Sequence, residues 1–214
     1  MIVPVVAAIV STVASGVAVH TPKKLKNIGT AKKAWLDSFT AAAKPICKAN
    51  GVPYQMCVAQ AALESGWGAH APGFNHFGIK GSGSAGSLLL AGHEFIGGKK
   101  IAKKMSFAAY KTLDDAIQGY CHAMKNNPRF KYATEAFPDN FEKFTTWIWG
   151  NGYATAPDYV YTLIGVASVI YRATGNEDFN IKPSSGLSSI IKKLQSVEKS
   201  KRVAMTSELL REDA

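Results

Sequence analysis

Cysteine is scarce in this chain: Cys47, Cys57 and Cys121 are the only three in 214 residues, with no Cys-x-x-Cys pair and no paired histidine motif. So small and odd a set excludes a disulfide framework and a zinc module, and leaves buried thiols as the expected state. One bridge, Cys47 to Cys57 across the Asn50-Gly51 turn, stays open in an oxidising compartment. Acidic side chains are also few, 15 against 25 Lys and Arg, for a formal charge of +10. The excess points to an anionic partner, whether nucleic acid, acidic lipid or a carboxylate-bearing polymer. Neither a helix-turn-helix pattern nor an RNA-binding aromatic signature accompanies the lysines, so no nucleic acid is expected. The stretch from Gly81 to Ser87 lacks the Gly-Lys-Ser/Thr ending of a phosphate loop, and His93-Glu94 lacks the second histidine of a zinc helix. No metal or other cofactor is implied. No internal repeat is visible, and the length suits one domain with a sizeable core and tails.

Charge is missing altogether from Met1 to Val19, a run dominated by Val, Ile and Ala. A secretory signal, a membrane span and a buried or partner-bound segment all fit it in part. The basic start of a signal is absent. As a helix the run would be about 28 Å long against a hydrocarbon core of about 30 Å, and Pro4, Ser11, Thr12, Ser15 and Gly16 weaken it. Lys23, Lys24 and Lys26 would then hold the following chain in the cytoplasm. The expected organisation is an apolar segment at 1–19, a basic linker at 20–34, one domain at 35–182, and a linker with a basic amphipathic tail at 183–214. In that tail Leu187, Ile190, Ile191, Leu194, Val197 and Leu209 follow helical spacing with lysines between them. A docking helix and a frayed polar tail both agree with the pattern.

Within the domain, Trp35, Phe39, Ala42, Ala43 and Ile46 mark a helix that Pro45 should kink or interrupt. Thr112, with Asp115 three residues on, imitates a capping box, which makes Asp114-Asp115 structural rather than a catalytic dyad. Asp139 is placed to cap a helix carrying Phe141, Phe144, Trp147 and Ile148 that should end at Gly150-Asn151-Gly152. Pro157 opens a last helix burying Val160, Leu163, Ile164, Ala167 and Ile170. Leu88 to Tyr110 reads as two strands turning at Gly97-Gly98. The fold class is mainly α (α+β), with one small β-hairpin lobe.

The most informative stretch runs from Gln60 to Ala69, Gln-Ala-Ala-Leu-Glu-Ser-Gly-Trp-Gly-Ala, followed by Asn75-His76-Phe77-Gly78-Ile79-Lys80-Gly81. Gly66 and Gly68 should stop the helix that begins near Tyr54, which puts Glu64 at its C-terminal end. There the negative end of the helix dipole disfavours the carboxylate, and Trp67 and Phe77 would remove water from it. A carboxyl that keeps its proton is what a general acid needs.

These stretches resemble glycoside hydrolase family 73, the bacterial and phage N-acetylglucosaminidases that cut peptidoglycan, whose pattern reads roughly AQAALESGWG, NLFGIKG and GYATDP. The third piece occurs here as Gly152-Tyr153-Ala154-Thr155-Ala156-Pro157, and Glu94-Phe95 with Phe107 to Ile117 is similar to the family's hairpin lobe and the segment leading back into helix. The likeness runs from about Trp35 to Arg172, with Ala156 where the family has Asp and His76 where it has Leu. The resemblance implies a lysozyme-like domain whose cleft lies between helical body and hairpin lobe. It implies Glu64 as general acid for the β-1,4 bond after N-acetylglucosamine, with Glu94 and Tyr153 as candidates for the second catalytic role, either as stabiliser or by polarising the acetamido oxygen of the sugar. Trp67, Phe74, Asn75, Phe77 and Tyr159 are the expected glycan contacts, and Trp149 is a further stacking candidate. The implied partner is bacterial peptidoglycan, in the cell envelope, the periplasm or a phage virion, with membrane contact through 1–19 and virion or protein docking through the C-terminal tail. The nearest alternative is a lytic transglycosylase or muramidase on the same polymer; the other is a non-catalytic wall- or membrane-binding virion protein.

Overall fold

The computed structural model describes residues 28–96, 99–197 and 199–211, with only the backbone described at 92–96, 99–102 and 199–200. The apolar N-terminal run and the Gly97-Gly98 turn lie outside the described residues.

The body is built around a helix that is apolar on every side. Helix α2, Tyr54–Ser65, buries Met56, Cys57, Val58, Ala59, Ala61 and Ala62, the pattern of a helix enclosed by others. Its alanines let helix α1, Thr30–Ala49, and helix α6, Tyr159–Thr174, pack against it. The α1 helix continues through Pro45 without the expected interruption. A single missing N–H is outweighed by the packing of Leu36, Phe39, Ala43 and Cys47, all buried along one face. All three cysteines are free and buried. Cys47 meets Cys121 at an Sγ–Sγ distance of 3.9 Å.

Strands β1, Ser87–Ile96, and β2, Lys99–Ala108, form an antiparallel pair in which Leu88 stands opposite Phe107 and Leu90 opposite Met105. The hairpin leads into helix α3, Leu113–Asn126, where the Thr112 hydroxyl accepts from the Asp115 N–H at 3.1 Å. Thr112 caps the helix as expected, while the Asp115 carboxylate accepts from the Ser84 hydroxyl at 2.7 Å. Helix α4, Lys131–Ala136, leads to helix α5, Phe141–Gly150, whose cap is Asn140 rather than Asp139. The Asn140 side chain reaches the Lys143 N–H at 2.9 Å.

The largest departure from expectation is at the C-terminus. Residues 187–211 form helices α7, Leu187–Ser196, and α8, Lys199–Arg211, and Leu187, Ile191, Leu194 and Leu210 belong to the same core as the body. Helix α8 packs on α5 and against α7, and the apolar side chains of both helices join the core. Arg202 donates to the Leu194 carbonyl at 2.9 Å and lies 5.2 Å above the Trp149 ring, while Arg211 lies 4.3 Å above Tyr132. Among the described residues no helix is long and apolar enough to cross a membrane.

Candidate active site

Glu64 is the penultimate residue of α2, and Gly66 closes the helix in the left-handed conformation. The Glu64 Oε1 atom is buried and has no hydrogen-bond partner among the described residues, and the last turn of α2 holds no basic side chain. Nothing offsets the lost hydration of a carboxylate. Burial therefore pushes the carboxyl up to about 7.

The turn after Glu64 aims its surroundings. Gly66, Trp67 and Gly68 are all left-handed, with φ of 59°, 63° and 80°. The conformation costs a tryptophan about 1 kcal/mol, and it throws the indole away from the helix axis. Trp67 meets Trp35 edge-on at 6.3 Å between ring centroids, with the Lys32 ammonium 5.8 Å from the Trp67 ring. Gly68 also admits no side chain, since a Cβ there would stand 2.2 Å from Trp35 Cδ1. Ser65 ties the turn together by accepting from the Gly68 N–H at 2.8 Å and donating to the Ala61 carbonyl at 2.6 Å.

Asn75 joins the helical body to the lobe. Its amide donates to the carbonyls of Ile79 and Ala108 at 2.8 and 2.9 Å, and its carbonyl accepts from the Ile79 N–H at 2.9 Å. Replacing it by Ala removes three buried hydrogen bonds and leaves the Ile79 carbonyl only its bond from the Ala108 N–H, so we expect a loss of about 3 kcal/mol in urea unfolding together with reduced activity. An unfolding midpoint equal to wild type would contradict this role. Across the resulting cleft, Leu90, Ala91 and Phe107 of the lobe face Glu64, His70, Pro72, Asn75 and Gly78 around a cavity of about 190 Å³. Glu94 lies further along β1, opposite Ile101. A larger cavity of about 640 Å³, lined by Leu36, Lys44, Tyr54 and Ile170 among others, lies apart from Glu64. Among the described residues no group of three His, Cys, Asp or Glu side chains could hold a metal ion.

Beneath Glu64 lies a buried polar network. Tyr153 is 1 % exposed, and its hydroxyl accepts from the Gln60 side-chain amide. The Gln60 carbonyl in turn accepts from the Tyr120 hydroxyl at 2.7 Å. Tyr159 stacks obliquely on Tyr153 at 6.0 Å, and its own hydroxyl is buried without a partner among the described residues. Burial first, and the Glu64 charge after it, hold the Tyr153 phenol well above its usual range; Tyr159 is raised by burial, by Tyr153 and by Glu64. The loop carrying Tyr153 hangs from α5, because Trp149 Nε1 donates to the Ala156 carbonyl at 2.8 Å. That bond uses backbone at position 156, so an Ala there leaves it intact.

The expected glycan contacts divide into exposed and buried side chains. Phe74 is 45 % exposed and Trp67 partly exposed, so both present surface to solvent, next in sequence to residues that line the cavity or close α2. Phe77 is fully buried, stacked on Tyr120 at 4.1 Å, while Asn75, Tyr159 and Trp149 are buried as well. Asn75 keeps a place in the cavity lining, while Phe77, Tyr159 and Trp149 fill the core behind it. His76 is wedged against Trp35 and Phe39, and burial pushes its imidazole down. Sequence reasoning passed over His70, Leu90 and Phe107 on the cavity wall, and Gln60 below it. Gln60 had a visible signal, as an amide within the apolar stretch from Met56 to Leu63 of α2.

A glucosaminidase family profile, described as mannosyl-glycoprotein endo-beta-N-acetylglucosaminidase, matches residues 40–172, more than half of the chain. The chain belongs to the glucosaminidase family. It is 32% identical over 145 residues to a probable N-acetylmuramidase of Lactococcus lactis subsp. cremoris, covering 64% of this chain and 33% of that protein. It is 34% identical over 154 residues to an autolysin of Enterococcus faecalis, covering 67% and 20%. The chain thus spans about a third or less of these curated relatives. Among solved structures, the catalytic domain of the autolysin Auto from Listeria monocytogenes is similar at a TM-score of 0.60 and 27% identity, over 70% of this chain and 89% of that one. A C-terminally truncated glycoside hydrolase domain of Salmonella typhimurium FlgJ is similar at 0.53 and 28% identity, over 65% and 97%. The lysozyme-like plan of a helical body with a small hairpin lobe agrees with these neighbours. The glucosaminidase match includes Glu64 and Tyr153; α7 and α8 lie beyond it.

Proposed function

We propose that this domain hydrolyses the glycan strand of peptidoglycan at the β-1,4 bond after N-acetylglucosamine, with Glu64 as general acid. The observation that carries the reading is a carboxyl at the end of a buried helix, in a cleft beside the hairpin lobe, with its ionisation pushed up to about 7. The polymer is supported by similar proteins named autolysin and peptidoglycan hydrolase, and a cell-envelope or periplasmic location by the same names. Glu64 gives its proton to the bridging oxygen, the electron pair of the breaking bond goes to that oxygen, and positive charge develops at the anomeric carbon. Glu94 of β1 is the candidate carboxylate for that charge, or for orienting the substrate's own acetamido oxygen. Tyr153 is too enclosed to meet a sugar directly. Its hydroxyl is better placed to serve the carboxylate that Glu64 becomes. Lysines around the domain favour a wall rich in carboxylates.

Digestion of purified peptidoglycan, borohydride reduction and mass spectrometry of the fragments test the bond. New N-acetylglucosamine reducing ends are expected; muramic acid or 1,6-anhydromuramic acid ends would replace this reading with the muramidase or transglycosylase one. Because the acid must be protonated, turnover should fall as pH rises through about 7. An activity flat from pH 5 to 9 would count against Glu64.

A further inference from the structure

A side-chain amide has one accepting end and one donating end, and a phenol has a single proton. These two facts give the buried network a direction. The Tyr120 hydroxyl reaches two acceptors, the Gln60 carbonyl at 2.7 Å and the weakly accepting Met56 sulfur at 2.9 Å; the stronger one takes its single proton, so Gln60 offers Tyr153 an N–H. The Tyr153 oxygen accepts that N–H, which leaves its own proton for a different neighbour. Glu64 stands one helical turn beyond Gln60 on the same face of α2, and its Oε1, like the Oη of Tyr159 whose ring packs on Tyr153, is buried without a partner among the described residues.

We propose that Gln60 and Tyr120 are positioning residues for the catalytic acid: the one-way chain from Tyr120 through Gln60 to Tyr153 reserves the Tyr153 hydroxyl as a donor to the carboxylate Glu64 becomes on giving up its proton. The inference rests on the roles of Glu64 and Tyr153 given above. The chain is held from three sides, by α2 through Gln60, by α3 through Tyr120, and by the loop after α5 through Tyr153. Gln60 and Tyr120 are fully buried, and Phe77 stacks on Tyr120 at 4.1 Å with an interplanar angle of 16°. Phe130 packs on Tyr153 at 5.5 Å. Without the Tyr120 proton, the Gln60 amide can turn over and present its carbonyl to Tyr153. Tyr153 would then donate to Gln60 and be lost to Glu64.

The titratable groups around Glu64 are Tyr153 on its loop, Tyr159 on α6, Tyr120 on α3, Cys57 on α2 and His70 on the cavity wall. Tyr120→Phe removes only a hydroxyl among them and keeps the ring that Phe77 stacks on.

The test is a double-mutant cycle in the full chain, following kcat, KM and the pH profile on soluble peptidoglycan fragments. Tyr120→Phe is expected to lower kcat about fivefold with little change in KM. It should also move the alkaline limb upward, since the carboxylate has lost its donor. In the Tyr153→Phe background, adding Tyr120→Phe or Gln60→Met should change neither quantity further. Should Gln60→Met fail to fold, Tyr120→Phe decides alone. If the losses multiply with that of Tyr153→Phe, or if Tyr120→Phe leaves both kcat and the limb at wild type, the positioning role is overturned while Tyr153 keeps its own. If Tyr153→Phe itself behaves as wild type, the role of Tyr153 falls and this inference with it.

Discussion

Glu64→Gln is expected to lower peptidoglycan turnover by on the order of a thousandfold while the protein becomes more stable in mildly alkaline buffer. The first effect follows from removing the only transferable proton of the side chain while keeping its shape. The second follows from the same burial that suits the residue to its task. The residue as a whole is partly exposed, but its Oε1 atom is enclosed, and the carboxyl is raised from 4.5 to about 7. Below pH 4.5 the folded and unfolded chains both hold the proton, so the group adds no pH dependence. Between 4.5 and about 7 the unfolded chain ionises and the folded one does not, so stability declines as pH rises. Above about 7 the decline is complete, with a ceiling of about 3 kcal/mol. Glutamine carries no such penalty. Urea unfolding of both proteins at pH 4 and pH 8 should therefore show a gain for the variant at pH 8 and a much smaller one at pH 4. Equal gains at both pH values would mean that the carboxyl is not shifted by burial.

A chain ending at Ser196 should lose about 4 kcal/mol of stability, because α8 takes the fully buried Leu210 and parts of Met205 and Leu209 with it. For a domain of this size that is a fall of roughly 10 °C in melting temperature. A point variant reports the same contact by sign. A Cβ on Gly150 would stand 2.1 Å from Thr206 Oγ1, so Gly150→Ala should force α8 away from α5 and cost about 1 to 3 kcal/mol. Alanine is the better helix former, and without α8 the same change should be neutral or stabilising by up to about 1 kcal/mol. A stabilised Gly150→Ala in the full chain would therefore show that α8 does not pack there. Since the loop bearing Tyr153 hangs from Trp149, which Arg202 of α8 covers, activity should weaken along with stability.

Local signals explain which parts of this molecule were legible beforehand. The stop at Gly66, the Thr112 cap and the hairpin from Leu88 onward are encoded by neighbours within a few residues, and each stands where the pattern puts it. Asp139 and Asn140 are both good caps one residue apart, and the choice depends on which side chain reaches an N–H, a matter of geometry beyond composition. The tail shows the larger gap. Its stripe of Leu187, Ile191 and Leu194 announces a helix with an apolar face but says nothing of what that face meets. Helix α8, which follows it, meets Gly150 and Trp149 through Thr206 and Arg202, some fifty residues apart in the chain. In the site, Glu64 was legible because a motif surrounds it. Asn75 and Phe77 lie in a motif too, yet a motif residue can serve by holding backbone or filling the core, and both do so here.

The chemistry and the fold meet in one arrangement. A fully packed helix ends in a left-handed turn, and Asn75 clamps the lobe across from a carboxyl with one oxygen enclosed. The most direct test is to follow the Glu64 side-chain carboxyl through a pH titration by carbon-13 NMR, with the Glu64→Gln protein identifying the resonance. A midpoint near 7 is expected. A midpoint near the ordinary 4.5 would show a hydrated carboxylate, and Glu64 could then not hold the proton on which catalysis is proposed to depend.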